Sequence, residues 1–422
     1  MGPWRSTRAW RPVRPVKKVK SREATTAPNA RAVARDVLLR VDRDGAYANL
    51  ALAAALSRTD LSVRDRRFAT EIVYGVTRMR RACDFLIARF VTRELDPAVR
   101  ATLRMGAFQL QFMRVPAHAA VAETVAVAPG RARGLVNAVL RRVSEAPVNW
   151  PDDATRLSYP DWVLDRLVSD LGAESARRAL EAMNRPGKAS VRADGYIQDR
   201  SSTWVADLVG CRPHERVLDM CAAPGGKASW MARGGATVVA NELHTSRARQ
   251  LQGNSRRLDA GLLVVNGDGA CPPFARACFD RILVDAPCTG LGTLGSRPDA
   301  RWRIDPPAVD RLVAVQQQLV DRAITLLRQG GTLVYSVCTL TKAESLGIDD
   351  HLARTHTGLV PLDGPAEPWR PWGRGSILLP QAAGTQGMAL FRYQATGGVR
   401  GHEPPGTGSV ASSLDTSAVR RS

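Results

Sequence analysis

The sequence predicts an α + α/β protein, with an all-helical N-terminal domain followed by an α/β domain built on an open parallel sheet. Three observations predict it. Apolar residues recur every three to four positions from Ala32 to about Val143, the period of helices with one buried face. From Trp204 onward short apolar runs alternate with helical stretches, the pattern of a parallel sheet with crossover helices. Proline-rich joints and one further helical stretch, residues 162–183, lie between the two regions. The chain has 422 residues, enough for two or three domains at roughly 100–200 residues each.

The elements follow in order. Residues 1–30 set Arg5, Arg8, Arg11, Arg14, Lys17, Lys18, Lys20 and Arg22 against a single acid, Glu23, with no apolar period, and read as a disordered basic arm. Residues 31–145 form the helical domain. Val33, Val37, Leu38 and Val41 mark its first helix, and Leu103, Phe108, Leu110 and Phe112 continue the period. Pro97, Pro116 and Pro129-Gly130 punctuate it, and residues 135–142 are its last helix. Residues 146–203 are a linker. Residues 204–396 form the α/β domain, with strands at 216–219, 237–240, 262–265, 281–285 and 331–335. Residues 397–422, rich in Gly, Ser, Thr and Pro, read as a disordered tail.

Charge narrows the partners. Sixty Lys+Arg against forty Asp+Glu leave a net +20, which points to a polyanion, with nucleic acid ahead of an anionic membrane surface. No run approaches the 18 apolar residues of a spanning helix, so no membrane partner is expected. The seven cysteines are Cys83, Cys211, Cys221, Cys271, Cys278, Cys288 and Cys338; sparse and odd in number, they fit a reducing cytoplasm. Cys211 and His214 have ligand-like spacing, but no second pair completes a four-ligand set, so no metal is expected.

Three strand ends carry chemistry. After the first strand, Asp219 leads into Met220, Cys221, Ala222, Ala223, Pro224, Gly225, Gly226 and Lys227, a turn of small residues where a doubly wound sheet lets a ligand approach its backbone. Glu242 ends the second strand, 23 residues after Asp219, placed to hold ribose hydroxyls. The turn is neither the dinucleotide fingerprint nor a P-loop. A ligand with a ribose and no phosphate fits it, and S-adenosylmethionine is the candidate. Asp285-Ala286-Pro287-Cys288 ends the fourth strand, and Tyr335-Ser336-Val337-Cys338 the fifth. One such cysteine would read as packing; two, beside a carboxylate and a cofactor turn, read as chemistry.

These motifs resemble the bacterial Sun/Fmu (RsmB-like) rRNA cytosine-C5 methyltransferases. The resemblance spans residues from about 32 to 393, and the N-terminal part is similar to the NusB-like RNA-binding domain of that family. It rests there on Tyr74-Gly75-Val76, Leu103-Arg104-Met105-Gly106, Pro116-Ala117-His118 and Val136-Asn137-Ala138-Val139-Leu140-Arg141. The resemblance implies a Rossmann-like class I methyltransferase domain that binds S-adenosylmethionine, and small-subunit rRNA as substrate. It implies Cys338 as the nucleophile that adds to carbon 6 of cytosine, Cys288 as the residue that helps release the adduct, and Asp285 as a hydrogen-bond partner of the base. It places Cys221 to Lys227, Glu242, Asp268 and Asp285 around the cofactor, with Cys221 present for its size. A cytoplasmic monomer is expected. Departures from the family pattern are Val337 before the nucleophile, Glu344-Ser345 where Glu-Asn is usual, Gly295-Ser296-Arg297, and Arg200 after Gln198-Asp199. Only five residues, 193–197, separate Arg192 from Gln198, where the family has a long RNA-binding stretch, so residues 146–203 hold a truncated subdomain. A non-catalytic RNA-binding or ribosome-assembly role, or the same chemistry on tRNA, are the competing readings.

Overall fold

The computed structural model describes residues 29–185 and 190–396. The helical domain comprises α1 (Ala30–Arg43), α2 (Ala48–Leu56), α3 (Val63–Arg78), α4 (Arg80–Ala88), α5 (Pro97–Phe112), α6 (Ala117–Ala126) and α7 (Arg133–Glu145). Its starts are local in origin. Asn29 caps α1 by accepting from the Arg31 N–H at 2.8 Å, Ser62 caps α3, and Asp96 caps α5 ahead of Pro97. Asn29 and Ala30, the last residues of the predicted basic arm, open α1; residues 1–28 of that arm and the predicted tail from 397 lie outside the described residues.

Val37, Leu38, Ile72, Val73, Leu86, Leu103 and Leu140 fill the core of this domain. Gly75 decides how closely α3 and α5 meet, because a Cβ there would lie 2.0 Å from the Phe108 ring. Gly75→Ala is expected to destabilise the domain by about 1–3 kcal/mol through overpacking, read as a shift of the chemical-denaturation midpoint. Arg104, on the buried side of α5, is held by Asp84 and Asp42 at 2.6 Å each.

The linker forms α8 (Asp153–Leu157), α9 (Asp161–Leu171) and α10 (Ala173–Met183). The stretch 162–183, predicted as one helix, is two, because Gly172 adopts φ +84° and ends α9. Residues 190–198 close on themselves: Val191 and Ile197 make an antiparallel bridge, with a turn at Gly195. The Arg192 side chain docks this turn onto the α/β domain by donating to Gly226 O at 2.8 Å and Ser229 Oγ at 3.2 Å. The next helix, α11 (Arg200–Val209), is capped by Asp199 and runs across the predicted boundary at 204.

The remaining elements are β1 (Arg216–Asp219), α12 (Gly226–Ala232), β2 (Thr237–Glu242), α13 (Thr245–Arg257), β3 (Leu263–Asn266), β4 (Phe279–Asp285), α14 (Ala308–Leu326), β5 (Leu327–Val337), α15 (Leu346–Thr355), β6 (Leu359–Pro361), β7 (Arg370–Trp372), β8 (Gly375–Leu378), α16 (Pro380–Ala383) and β9 (Met388–Ala395). The sheet runs β3-β2-β1-β4-β5-β9-β8-β7, and β6 pairs with β9. The first five strands are parallel; β9 runs antiparallel to β5. The near-continuous apolar runs in β1, β4 and β5 follow from burial on both faces. Strand order reverses between β1 and β4, so the crevice outside their carboxyl ends is the place for a ligand. Asp219 and Asp285 stand at those two ends.

The two domains are joined through residues 294–303. Arg301 is fully buried and donates to Arg78 O (3.1 Å), Ser158 O (3.1 Å), Asn184 Oδ1 (3.0 Å), Tyr159 OH (3.0 Å) and Leu294 O (3.2 Å). Trp302 Nε1 donates to Thr77 O at 2.7 Å, and Arg78 reaches back to Gly295 O at 2.9 Å. Among the described residues no helix is long and apolar enough to cross a membrane.

Candidate active site

The cofactor turn is shaped by backbone geometry. β1 ends at Asp219 and the chain turns through residues 220–225 into α12. Gly225 takes φ +103°, and a Cβ there would lie 2.6 Å from Leu251, so the turn needs glycine on two counts. Ala222, Ala223, Gly225 and Gly226 are buried, Cys221 is half-buried and Pro224 is exposed. Burial of its sulfur, with the neighbouring charges of Asp219, Asp285 and Glu242, pushes the Cys221 thiol well above its ordinary range.

Acids line the edge of the sheet. Glu242, at the end of β2, is buried; one oxygen accepts from the His244 N–H at 2.9 Å and the other lies 3.7 Å from Arg247. Neither oxygen is saturated, which suits a carboxylate that receives two hydroxyls. Asp219 is 1% exposed, and neither of its oxygens has a hydrogen-bond partner. Burial, reinforced by the charge of Asp285, raises its pKa from 3.8 to about 7. Asp268 is the outlier, exposed after β3 and accepting from the Ala270 N–H at 2.9 Å. Glu242, Asp219 and Asp285 along one edge would repel a phosphate and welcome the cationic ammonium and sulfonium of S-adenosylmethionine, so the residues present fit that cofactor. Among the described residues no cluster of His, Cys, Asp and Glu is arranged to hold a metal ion.

The orphaned Asp219 has a testable cost. A carboxyl whose pKa rises on folding withdraws stability as pH climbs from its unfolded value near 3.8 to about 7. Asp219→Asn is therefore expected to raise the melting temperature of the cofactor-free protein at neutral pH by on the order of a few degrees. At pH values below the unfolded pKa the difference should vanish, as a pair of calorimetric scans would show.

The second part of the site joins β4 to β5. Asp285 accepts from Lys227 Nζ at 2.7 Å through one oxygen and from Ser336 Oγ at 2.7 Å through the other. Burial alone would lower the Lys227 pKa, but Asp285 outweighs it and the pKa is raised, so the ammonium is firmly charged. Beyond this pair, Cys288 Sγ and Cys338 Sγ are 3.4 Å apart. The two thiols are not equivalent. Cys288 is pushed far up, by its hydrogen bond to Cys338 first, then by burial and by the charges of Cys338 and Glu344. Cys338 is lowered, by the hydrogen bond from Cys288 first; burial and Asp285 oppose this, and Lys227 and Arg297 assist it. Cys338, which faces the cations Lys227 and Arg297, is therefore the one of the two whose ionised form the site favours. A cleft of about 680 Å³ lies alongside, lined in part by Arg178, Arg185, Arg200, Gly292, Ser296 and Gln386. Its wall reaches the backbone of Cys338, since the Gly292 N–H donates to Cys338 O at 3.0 Å.

The 16S rRNA methyltransferase RsmB/F family model matches residues 206–389, and the NusB family model matches residues 28–145. The ribosomal RNA small subunit methyltransferase B of Thermus thermophilus is 38% identical over 354 residues, covering 76% of this chain and 86% of that protein. The chain belongs to the RsmB/F methyltransferase family. S-adenosylmethionine is its cofactor, and the helical region is its NusB domain. The probable ribosomal RNA small subunit methyltransferase B of Bacillus subtilis, 27% identical, covers 87% of this chain and 99% of its own length. Among solved structures, PH0851 superposes with a TM-score of 0.72 at 19% identity, covering 87% of this chain and 99% of that one, which shows the shared fold.

The structure brings together Cys338, Cys288, Asp285 and Lys227, and sets the turn from Cys221 to Gly226 and Glu242 along the same edge. Sequence reasoning assigned no role to Ser336, which orients Asp285, or to Asp219, whose oxygens face no protein partner. Ser336 could have been found, because strand alternation puts it two residues before Cys338 at the end of β5. Glu344 stood out in the sequence only as half of an altered pair.

Proposed function

We propose that the protein methylates carbon 5 of cytosine in 16S rRNA, through a transient bond between Cys338 Sγ and carbon 6 of the base. The observation that supports this reading is the sulfur pair, Cys288 Sγ and Cys338 Sγ 3.4 Å apart at the strand ends beside Asp285. Carbon 5 of cytosine is too weak a nucleophile to take a methyl group unaided. Addition of the Cys338 thiolate to carbon 6 moves the π pair onto carbon 5 and makes it enamine-like. S-adenosylmethionine, when bound, supplies the methyl group. Asp285, held by Lys227 and Ser336, is positioned at the ring-nitrogen and amine edge of the base, where its carboxylate accepts from the amine and the Lys227 ammonium beside it offsets the negative charge that develops on the ring.

Release follows from the same pair. Once Cys338 is a thioether it carries no charge and no longer accepts from Cys288, which removes the largest influence that raises the Cys288 pKa, while burial and Glu344 still act on it. Cys288 then yields its proton to solvent and, as a thiolate, takes the proton from carbon 5. The electrons of that C–H bond re-form the C5–C6 double bond, and the C6–S bond breaks to return Cys338 as thiolate. The turn at Cys221, Ala222, Ala223, Pro224, Gly225, Gly226 and Lys227, together with Glu242, Asp268 and Asp285, surrounds the cofactor in this reading. The basic NusB domain, in a chain of net charge +20, supports RNA as the partner. The deciding experiment is bisulfite sequencing of rRNA from a deletion strain rescued with wild type or with Cys338→Ala. One 16S cytosine should lose its methyl group and regain it only with wild type; an rRNA map unchanged by the deletion would overturn the proposal.

A further inference from the structure

Behind the two sulfurs lies a buried carboxylate that the mechanism above does not use. Glu344 is fully buried, six residues after Cys338 in the connection from β5 to α15. Its oxygens accept from the Thr289 N–H (2.7 Å), Thr289 Oγ1 (2.6 Å), Thr339 Oγ1 (3.0 Å), Thr341 Oγ1 (2.8 Å) and Gln316 Nε2 (3.3 Å). Thr289 follows Cys288 directly and Thr339 follows Cys338 directly, so one carboxylate grips both cysteine loops at the adjoining residue. Its own backbone is fixed as well, because Tyr335 OH donates to Glu344 O at 2.7 Å. Gln316, on α14, also donates to Pro287 O at 2.9 Å and so braces the Cys288 loop from the far side.

We propose that Glu344 is a positioning residue that clamps the Cys288 loop to the Cys338 loop and thereby sets the separation of the two sulfurs. A buried carboxylate with five donors is satisfied only while both loops stay in place, which makes the clamp all-or-none in character. Its charge acts in the same sense. Cys288 faces Cys338 and Glu344, whereas Cys338 faces Cys288, Asp285, Lys227 and Arg297. The negative charge of Glu344 therefore bears on Cys288 and helps hold it as the thiol. The inference rests on reading the two cysteines as a catalytic pair.

The test is the alkylation of each cysteine by iodoacetamide in the RNA-free protein between about pH 6 and 10, read peptide by peptide by mass spectrometry. In wild type, Cys338 should react at the lower pH and Cys288 only at the higher. In Glu344→Gln the two profiles should converge, with Cys288 alkylated roughly tenfold faster at mildly alkaline pH, the equivalent of about one pKa unit. Thr341→Val, which removes one donor and keeps the charge, should give a smaller change in the same direction and carries the test should Glu344→Gln fail to fold. Profiles for both cysteines that match wild type in folded variants would overturn the proposal and leave Glu344 a packing residue. Because no RNA is present, this failure is distinct from a failure to find 5-methylcytosine.

Discussion

Cys338→Ala is expected to lose methyl transfer by on the order of 10³-fold or more while keeping its fold and its affinity for S-adenosylmethionine. The side chain removed is small and half-buried, and the cofactor turn stands on β1 and α12 rather than on β5. Cys288→Ala should behave differently. Under the proposed mechanism it leaves the nucleophile but removes the group that takes the carbon-5 proton, so a protein–RNA species resistant to denaturant should accumulate. Gel separation after incubation with small-subunit rRNA and cofactor checks both. Equal adduct from Cys288→Ala and from the Cys288→Ala/Cys338→Ala double variant would sink the assignment of the nucleophile.

The second large effect concerns Arg301. Its partners include three backbone carbonyls, an amide oxygen and a phenol, and no carboxylate among them. Burial lowers its pKa from 12.5 to about 10, so it remains charged at neutral pH. Arg301→Leu would leave those acceptors buried without a donor, and the expected loss is about 3–5 kcal/mol. Differential scanning calorimetry should show it as a clear drop in melting temperature. Arg303→Ala, at a side chain one-third exposed, should lie within about 1 kcal/mol of wild type.

The sequence is informative where function depends on short-range order. The strand-end motifs place Asp285, Cys288 and Cys338 on one edge because a parallel sheet aligns its carboxyl ends, and local apolar runs are enough to find those strands. Helix splitting at Gly172 was hidden because the 3.6-residue period continues across it; only the backbone conformation of that glycine separates α9 from α10. Arg301 was invisible for another reason. It is one of many arginines in a basic chain, and its partners lie 223, 143 and 117 residues away, beyond any periodicity. The clamp at Glu344 was hidden by distance as well, since Thr289 is 55 residues from it and only folding brings the two loops together. The turn over 190–198 shows a further limit. The small number of residues before Gln198 is plain in the sequence, but that Arg192 fastens the turn to Gly226 is a tertiary fact.

The position of Arg301 also has a consequence for birth on the ribosome. A nascent chain emerges from its N-terminus, and domains fold as they appear. The NusB domain, complete by Glu145, can bury its own core long before residue 301 is made. The carbonyls of Arg78 and Ser158, once made, lack the Arg301 donor until residue 301 is synthesised. Joining of the two domains is thus a late, vectorial event, timed by translation of the segment between β4 and α14.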